Sequence, residues 1–424
     1  MQIIADLHLH SKFSRATSPL MDVDNLSLWA KKKGIGILTT GDFTHPKYLK
    51  ELKEKLLEDN TGLLKLKDKS LKIKVKDVFF ILGTEISCIY KDKGKVRRLH
   101  ILVYAPDFAT VDKINAELIK RKCNLSSDGR PIIGLSAKQL AQICFEANPK
   151  CLVVPAHAWT PWFAVFGSKS GYDSLQDCFE ELTPNIFAIE TGLSSDPQMN
   201  WRLSALDNIL LISNSDAHNP RNLGREANVF DLNEFTYDEI YNIFKNKDHK
   251  KFLYTVEFFP QEGKYHYDGH LNCHFVCSPQ ENKIKYKNIC PVCKKTMTLG
   301  VDHRVDDLAD RELGFVPKNS VPYKNLVPLE ELLAQCLGVG KSSKTVASLY
   351  ESMLGRGGNE FNILLNLDEN EITEISNNLV AKAIKRVRLK QVCAIAGYDG
   401  QYGVIKVFSD KELDECLPRQ KTLI

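Results

Sequence analysis

The sequence predicts an α/β fold: a seven-stranded β/α barrel, then a four-Cys zinc ribbon, then a mainly helical C-terminal domain. Three observations predict it. Seven short, β-branched apolar runs recur within the first 255 residues, and most are separated by segments of helical periodicity. Each run carries a His, Asp or Glu at or near its end. After residue 258 the composition shifts and four Cys fall in two close pairs. The boundaries follow as 1–258 for the barrel, 259–312 for the ribbon and 313–424 for the helical domain.

The seven runs cover 3–10, 35–42, 78–85, 99–104, 152–157, 186–190 and 209–218, with helical periodicity at 24–33, 110–122, 136–148 and 199–207. Strands that alternate with helices argue for parallel β/α units, and near-continuous apolar strands argue for a sheet covered on its outer side. In such a barrel the functional groups collect at the carboxyl ends of the strands. His8, His10, Asp42, Glu85, His100, His157, Glu190, Asp216 and His218 fall at or near that end, although His100 sits early in its run. In the first strand, residues two apart face the same way, so His8 and His10 point together. A single His at a strand end is more often a hydrogen-bonded structural residue than a ligand. Nine groups on one rim, with four carboxylates among them, need cations to offset their repulsion. Nitrogen and oxygen ligands without Cys suit Zn, Mn, Mg or Fe, and nine exceed the needs of one ion, so two or three divalent ions are expected at the barrel mouth. Asp216, His218, Glu85 and His10 are the catalytic candidates. The chemistry expected of such a cluster is phosphoester hydrolysis.

Composition sets the frame. The chain has 424 residues, is 43% hydrophobic and carries a formal net charge of +4. No apolar run is long enough to span a membrane, and no secretory leader pattern opens the chain. A cytoplasmic protein with reduced thiols is expected, and the mild charge means that any nucleic-acid contact rests on local patches. Eight of the twelve Cys are scattered as small core residues. The other four, Cys273, Cys277, Cys290 and Cys293, have the spacing of a tetrahedral structural Zn site, with His270 and His274 as substitutes. Lys283, Lys285, Lys287, Lys294 and Lys295 on this ribbon are candidate DNA contacts.

Two loops narrow the substrate. Trp159, Trp162, Phe163, Ser168, Lys169, Ser170 and Tyr172 follow His157 directly. An aromatic-walled pocket with phosphate-binding groups beside a phosphoester centre suits a nucleobase turned out of its stack. The bland alternative is a lid packing its own aromatics, which fits Phe166. After Glu190 come Ser194, Asn200, Trp201 and Arg202, candidates for base-edge and phosphate contacts, with Ser195 or Asp196 as a helix cap. The Lys-rich stretch 50–76 reads as a solvated helix face. Gly338-Val339-Gly340 lacks a Walker loop's first Gly, since Gln335 stands there, and it follows a helix. It reads as an αα-turn or as a helix-hairpin-helix whose amides meet a DNA phosphate. A basic amphipathic helix over 372–389 and two strands over 392–396 and 404–408 complete the chain.

Asp6-Leu-His-Leu-His10, Gly83-Thr-Glu85, Pro155-Ala-His157 and Ser215-Asp216-Ala-His218 resemble the four motifs of the polymerase-and-histidinol-phosphatase (PHP) family. The resemblance implies a distorted seven-stranded β/α barrel with a trinuclear metal site. The chain departs from the common pattern at Arg15, where many members carry a His, and at Gly41-Asp42-Phe-Thr-His45, where many carry Asp-His. The second-strand ligand is therefore carried to Asp42, with His45 as the alternative. The order of barrel, aromatic loop, Ser-rich loop, ribbon and helical tail further resembles the DNA repair endonucleases of this family found in archaea and some bacteria. That implies hydrolysis of the phosphodiester 5′ to a deaminated base (uracil, hypoxanthine, xanthine) or an abasic site, in double- or single-stranded damaged DNA. A monomer is expected, and a sliding-clamp contact has no visible signal in the sequence. The runner-up is a small-molecule phosphomonoesterase of the same family, and the third reading is a DNA-binding module without catalysis.

Overall fold

The structure is a computed structural model that describes residues 1–67 and 78–416, with side chains through residue 413. Each of the seven runs carries a strand: Gln2–Asp6, Ile37–Thr39, Phe79–Asp92, Lys95–Ala105, Leu152–Pro155, Ala188–Glu190 and Leu210–Ile212. The first three are parallel neighbours, with Ala5 opposite Ile37 and Ile37 opposite Phe79. The fourth reverses, contrary to the expectation of parallel units. It forms a hairpin with the third in which Asp92 pairs with Lys95. The turn residues Lys93 and Gly94 both have positive φ, 47° and 78°, as a tight hairpin turn requires. Two residues are too few for a parallel crossover, so the chain can only turn back. The fifth strand runs antiparallel to the fourth, with Ile101 opposite Pro155, and so regains the direction of the third.

The barrel is not one closed seven-stranded sheet. The first strand's free edge takes up Ala227–Asp231 antiparallel, which pairs with Phe252–Glu257, which pairs in parallel with Tyr323–Asn325. Among the described residues the sixth and seventh strands pair only with each other, Ile189 opposite Leu211. The result is a curled half-barrel sheet facing a parallel pair. Backbone bonds close the mouth between them. His10 N–H donates to Ala217 O (3.0 Å) and Ala158 N–H to Glu190 O (2.9 Å), while Thr191 N–H, donating to Ile212 O (2.9 Å), extends the parallel pair itself.

The inward faces of the strands supply one buried cluster, including Ala5, Leu7, Ile37, Ile81, Leu102, Val154, Ala188 and Ile212. The outer face is covered by helices Val23–Lys33, Phe108–Lys120 and Ala137–Ala147, each started by a side chain that accepts a first-turn N–H: Asp22, Asp107 and Ser136. The helix expected over 199–207 shrinks to Pro197–Asn200 and a 3-10 turn at Ser204–Leu206, with Asp196 as its cap. The Lys-rich stretch begins as helix Pro46–Lys55, whose Lys53 and Lys55 pair with Asp112 and Asp24. Its remainder from residue 68 lies outside the described residues.

The C-terminal third is mainly helical: Leu329–Leu337, Lys344–Gly357, Glu360–Leu365, Glu369–Ile375 and Asn378–Arg388. The single helix expected over 372–389 is two, because Asn377 caps a new start after Ser376. Lys33 pairs with Glu360 at 2.7 Å, both buried, and this pins the helical part to the barrel's first helix. The last hairpin, Cys393–Ile395 with Val404–Lys406, returns its turn to the segment after the barrel, where Tyr267 N–H donates to Gly397 O at 3.0 Å. Among the described residues no helix is long and apolar enough to cross a membrane.

Candidate active site

The strand ends converge as the period-two pattern requires. His8 and His10 leave the first strand side by side, and both turn their Nε2 atoms toward Glu85 and Asp216. His10 Nε2 lies 3.1 Å from Glu85 Oε2 and 3.2 Å from Asp216 Oδ1. His8 Nε2 lies 3.7 Å and 3.6 Å from the same two carboxylates. On the other side of Glu85, Oε1 meets His100 Nδ1 at 2.8 Å and His157 Nε2 at 3.2 Å. The His218 ring lies tilted beside His10 at 4.5 Å. Three groups of donors result, each with its ligand atoms within 4.8 Å: His8–His10–Glu85, His10–Asp216–His218 and Glu85–His100–His157. They share His10 and Glu85. His100 reaches the mouth because its strand is antiparallel. Its early position pairs with Ser87, just beyond Glu85.

Asp42 and Glu190, expected as ligands, stand one layer behind. Asp42 Oδ1 faces His10 Nδ1 at 3.3 Å, and its Oδ2 accepts from Ser11 N (2.6 Å), Ser11 Oγ (2.6 Å) and Ser14 Oγ (2.8 Å). Glu190 lies 3.0 Å from His8 Nδ1 and accepts from Asn214 Nδ2 (2.8 Å) and His157 N (2.7 Å). Each carboxylate thus fixes the ring nitrogen that faces away from the mouth and leaves the other nitrogen's lone pair pointing inward. His45 joins none of these groups. It stacks on Phe13 at 4.5 Å. Asp42, His157 and Asp216 all hold left-handed backbone, with φ of 48°, 28° and 46°, an expensive conformation that collects at functional sites.

The donor set fits cations on its own chemistry. His8 Nε2, His10 Nε2 and Asp216 Oδ1 are buried without a hydrogen-bond partner, a costly state unless a positive ion fills the space between them. Burial opposes charge on His8, yet Glu190, Asp216 and Glu85 together hold its imidazole well above the ordinary value. Against their own burial, Asp216 is held well below the usual carboxylate range by His8 and His10, and Glu85 by His100 and Arg130. Burial brings His100 down to about 4 despite Glu85, so its imidazole is neutral at neutral pH. Oxygen and nitrogen donors of this kind suit Zn, Mn, Mg or Fe, which would supply Lewis acidity beside the phosphate.

These donors open into a cavity of about 640 Å³, within the size range of small-ligand sites. His100, His157, Glu190, Asp216 and His218 line one side, and Trp162, Phe163 and Ser194 line another. Sequence reasoning missed Arg225, Lys264, Tyr265 and Tyr402, which also line the cavity. Trp162 meets Tyr265 edge-on at 5.9 Å, and Lys264 lies over Tyr402 at 4.6 Å. Tyr402 comes from the Gly-rich turn of the last hairpin, whose two Tyr were the only local signal.

The other expected pocket residues stand elsewhere. Trp159 is buried, packs at a tilt on Phe166 (4.7 Å) and donates Nε1–H to Asn200 Oδ1 (2.7 Å), so Trp159 and Asn200 are core residues. Ser170 Oγ donates to Arg98 O, and Tyr172 donates to Asp92 beneath the Arg97 guanidinium. Ser168 and Lys169 are outside the cavity lining. Trp201 packs on Tyr323 at 5.8 Å, and Arg202 pairs with Asp306 at 2.9 Å, which ties the loop to helix Val301–Leu308.

In the ribbon, His270, Cys273, Cys290 and Cys293 bring four donor atoms within 4.8 Å. Cys277 is not among them. The hairpin register places it opposite Asp268, while His270 falls opposite Phe275 beside the knuckle. Cys293 Sγ lies 3.4 Å from His270 Nδ1. Three thiols and one imidazole satisfy a structural Zn as well as four thiols do. Of the ribbon lysines, Lys283 is engaged with Asp306 and Asp307, and Lys285 with Glu281.

Comparison with known proteins completes the picture. The family model of the MJ0043 C-terminal domain matches residues 328–391. The uncharacterized protein MJ0043 of Methanocaldococcus jannaschii is 33% identical over 253 residues, covering 59% of this chain and 31% of that relative's length. The uncharacterized protein YqxK of Bacillus subtilis is 27% identical over 419 residues, 96% of this chain and 99% of YqxK. The lesion-specific endonuclease PfuEndoQ of Pyrococcus furiosus superposes with a TM-score of 0.83 at 31% identity, over 98% of this chain and 99% of its own. An endonuclease Q in complex with a 27-mer duplex substrate, with an abasic lesion at the active site, superposes at 0.85 with 32% identity, over 97% and 98%. A curled α/β sheet whose mouth gathers metal-ligating side chains, shared over nearly the full length with these structures, defines the class as an endonuclease. Within that class, the chain belongs to the endonuclease Q family.

Proposed function

We propose that this protein is a DNA repair endonuclease that cuts the phosphodiester 5′ to a deaminated base (uracil, hypoxanthine, xanthine) or an abasic site, with the damaged nucleotide turned out into the cavity. One observation carries the reading: the metal-ligand groups open directly into a pocket walled by Trp162, Phe163, Tyr265 and Tyr402. Aromatic faces receive an extruded base, and the neighbouring donors meet its phosphate. A damaged base pairs weakly, so turning it out costs less, by roughly a few kcal/mol. His8, His10, Glu85, His100, His157, Asp216 and His218 would hold two or three divalent ions, while Asp42 and Glu190 orient His10 and His8. Bound there, the ions supply Lewis acidity and charge neutralisation at the phosphate. Asn214 and His157 N–H hold Glu190, and the aromatic wall excludes water. His270, Cys273, Cys290 and Cys293 would hold one structural Zn. Gly338-Val339-Gly340 joins helices Leu329–Leu337 and Lys344–Gly357, with Ser343 capping the second, and its backbone amides would meet a DNA phosphate.

The test is a duplex carrying one uracil or one abasic site, incubated with Mn²⁺ and mapped at nucleotide resolution. A single nick 5′ of the lesion is expected, leaving 3′-hydroxyl and 5′-phosphate ends. Asp216→Asn should abolish nicking while duplex binding persists. Random cutting, release of inorganic phosphate alone, or full nicking by Asp216→Asn overturns the reading.

A further inference from the structure

Arg130 belongs neither to the aromatic wall nor to the three donor groups, yet its guanidinium sits among their charges. Its Nη1 donates to Glu85 Oε2 at 3.0 Å, the same oxygen that His10 Nε2 approaches at 3.1 Å. Among the described residues Nη1 is its one engaged guanidinium nitrogen, and 29% of the side chain is open to solvent.

The backbone that delivers it is fixed from several sides. Gly129 N–H donates to Phe13 O at 3.0 Å, and Gly129 O accepts from Thr44 Oγ1 at 3.3 Å. The Asp128 carboxylate takes the Arg130 N–H at 3.1 Å and the Arg15 side chain at 3.2 Å. Gly129 lies so close to the mouth that a Cβ there would overlap Asp42 Oδ2 and Ser14 Oγ. The turn therefore rests on the carboxylate that orients His10, and only glycine fits.

The contact with Glu85 uses Nη1 alone and helps to hold that carboxylate ionised, which leaves the other guanidinium N–H groups for a second anion. A fixed positive charge at a cation-binding mouth also opposes the cations it adjoins. Such a group is expected where an anion must be received, and a planar guanidinium with open N–H groups matches a phosphate better than any other side chain. Of the other arginines nearby, Arg15 is engaged by Asp128 and is 80% exposed, and Arg225, which lines the cavity, is turned to the backbone oxygens of Ser215 and Asp216.

We propose that Arg130 is a further catalytic residue, whose free guanidinium N–H groups clasp a non-bridging oxygen of the scissile phosphate while Nη1 stays on Glu85. The inference rests on the nuclease reading above. In that hydrolysis the water oxygen bonds to phosphorus and the bond from phosphorus to the 3′-oxygen breaks. The 3′-oxygen keeps that electron pair and takes the remaining water proton. Arg130 exchanges no proton. It meets the negative charge that grows on the non-bridging oxygens.

The experiment compares Arg130→Gln and Arg130→Lys with wild type in the full chain. Binding of an abasic duplex is measured by fluorescence anisotropy in chelator, where nothing turns over. The same duplex with a neutral methylphosphonate at the scissile link is the partner in a double-mutant cycle. Nicking with Mn²⁺ and metal content by mass spectrometry complete the set. The Gln variant should bind the natural duplex about 10-fold more weakly, as loss of a charged hydrogen bond implies, with no such loss on the methylphosphonate duplex. Its kcat should fall about 10²–10³-fold, as for loss of one fixed transition-state donor, with a smaller change in KM and unchanged metal content. The Lys variant should recover part of kcat. Equal losses on both duplexes, wild-type nicking by the Gln variant, or metal lost in step with kcat overturns the proposal. Should the Gln variant melt early, the Lys variant carries the same cycle. If wild type itself does not nick the natural duplex, the nuclease reading fails instead.

Discussion

Replacing Asp42 by Asn separates a ligand from a carboxylate that orients one. In the structure Asp42 Oδ2 accepts three hydrogen bonds, from Ser11 N, Ser11 Oγ and Ser14 Oγ, and Oδ1 faces His10 Nδ1. Two hydroxyls can rotate to accept instead of donate, but the Ser11 N–H cannot. The Asn oxygen must therefore stay on Ser11 N, which turns the amide NH₂ toward His10 Nδ1. That nitrogen then has to accept, and the ring proton moves to Nε2, the nitrogen that faces Glu85 and Asp216 at 3.1 Å and 3.2 Å. A protonated Nε2 cannot ligate a metal. Loss of such an orienting partner typically costs 10–100-fold in metal affinity, about 1.4–2.8 kcal/mol. The assay is Mn²⁺ dependence of nicking on an abasic duplex, alongside direct metal titration of the chelated protein. Asp42→Asn should shift the Mn²⁺ midpoint upward 10–100-fold and approach wild-type kcat at saturation. An unchanged midpoint would refute the tautomer argument, and a kcat loss that saturating metal cannot restore would return Asp42 to the ligand set.

Three further outcomes follow from the same geometry. Lys33→Met should destabilise the chain by about 3–5 kcal/mol, because it leaves Glu360 buried without its cation; urea unfolding checks this, and a loss under 1 kcal/mol, the range of an exposed pair, would mean that solvent reaches Glu360. His270→Ala should lower the bound zinc per chain while Cys277→Ala should not, as read by mass spectrometry of protein dialysed against a weak chelator; the reverse result would restore Cys277 as a ligand. Burial raises the Asp6 carboxyl from 3.8 to about 6, so between those values the folded chain keeps a proton that the unfolded chain has lost, and stability falls as pH rises from about 4 to about 6. The full effect is about 3 kcal/mol. The stability difference between metal-free wild type and Asp6→Asn should shrink by roughly that amount between pH 4 and pH 7, and a pH-independent difference would place the Asp6 titration elsewhere.

The mouth was legible in the sequence because strands encode direction locally. Residues two apart share a face, so His8 and His10 had to point together, and Glu85, His157 and Asp216 had to arrive at the same rim. The aromatic loop after His157 was legible as a cluster but not by face. Trp162 and Phe163 line the cavity while Trp159 packs on Phe166 in the core, and nothing in irregular backbone announces which way a ring turns. The amphipathic stretch 372–389 hid a break, because the Asn377 cap is a local competitor that periodicity overlooks.

By itself, then, the sequence determined the strand runs, the residues that meet at the mouth and the gathering of Cys273, Cys290 and Cys293. These follow from short-range patterns of period two and from close Cys spacing. Tertiary structure alone decided which donors touch and which stand behind. It reversed the fourth strand and so brought His100 to the rim. It placed Asp42 and Glu190 behind imidazoles, put His270 in the position expected of Cys277, and carried Tyr265, Tyr402 and Arg130 to the mouth from segments remote in sequence. The physical reason is the same each time. Hydrogen-bond register and loop docking are set by pairing between distant segments, and a local pattern holds no record of its partner.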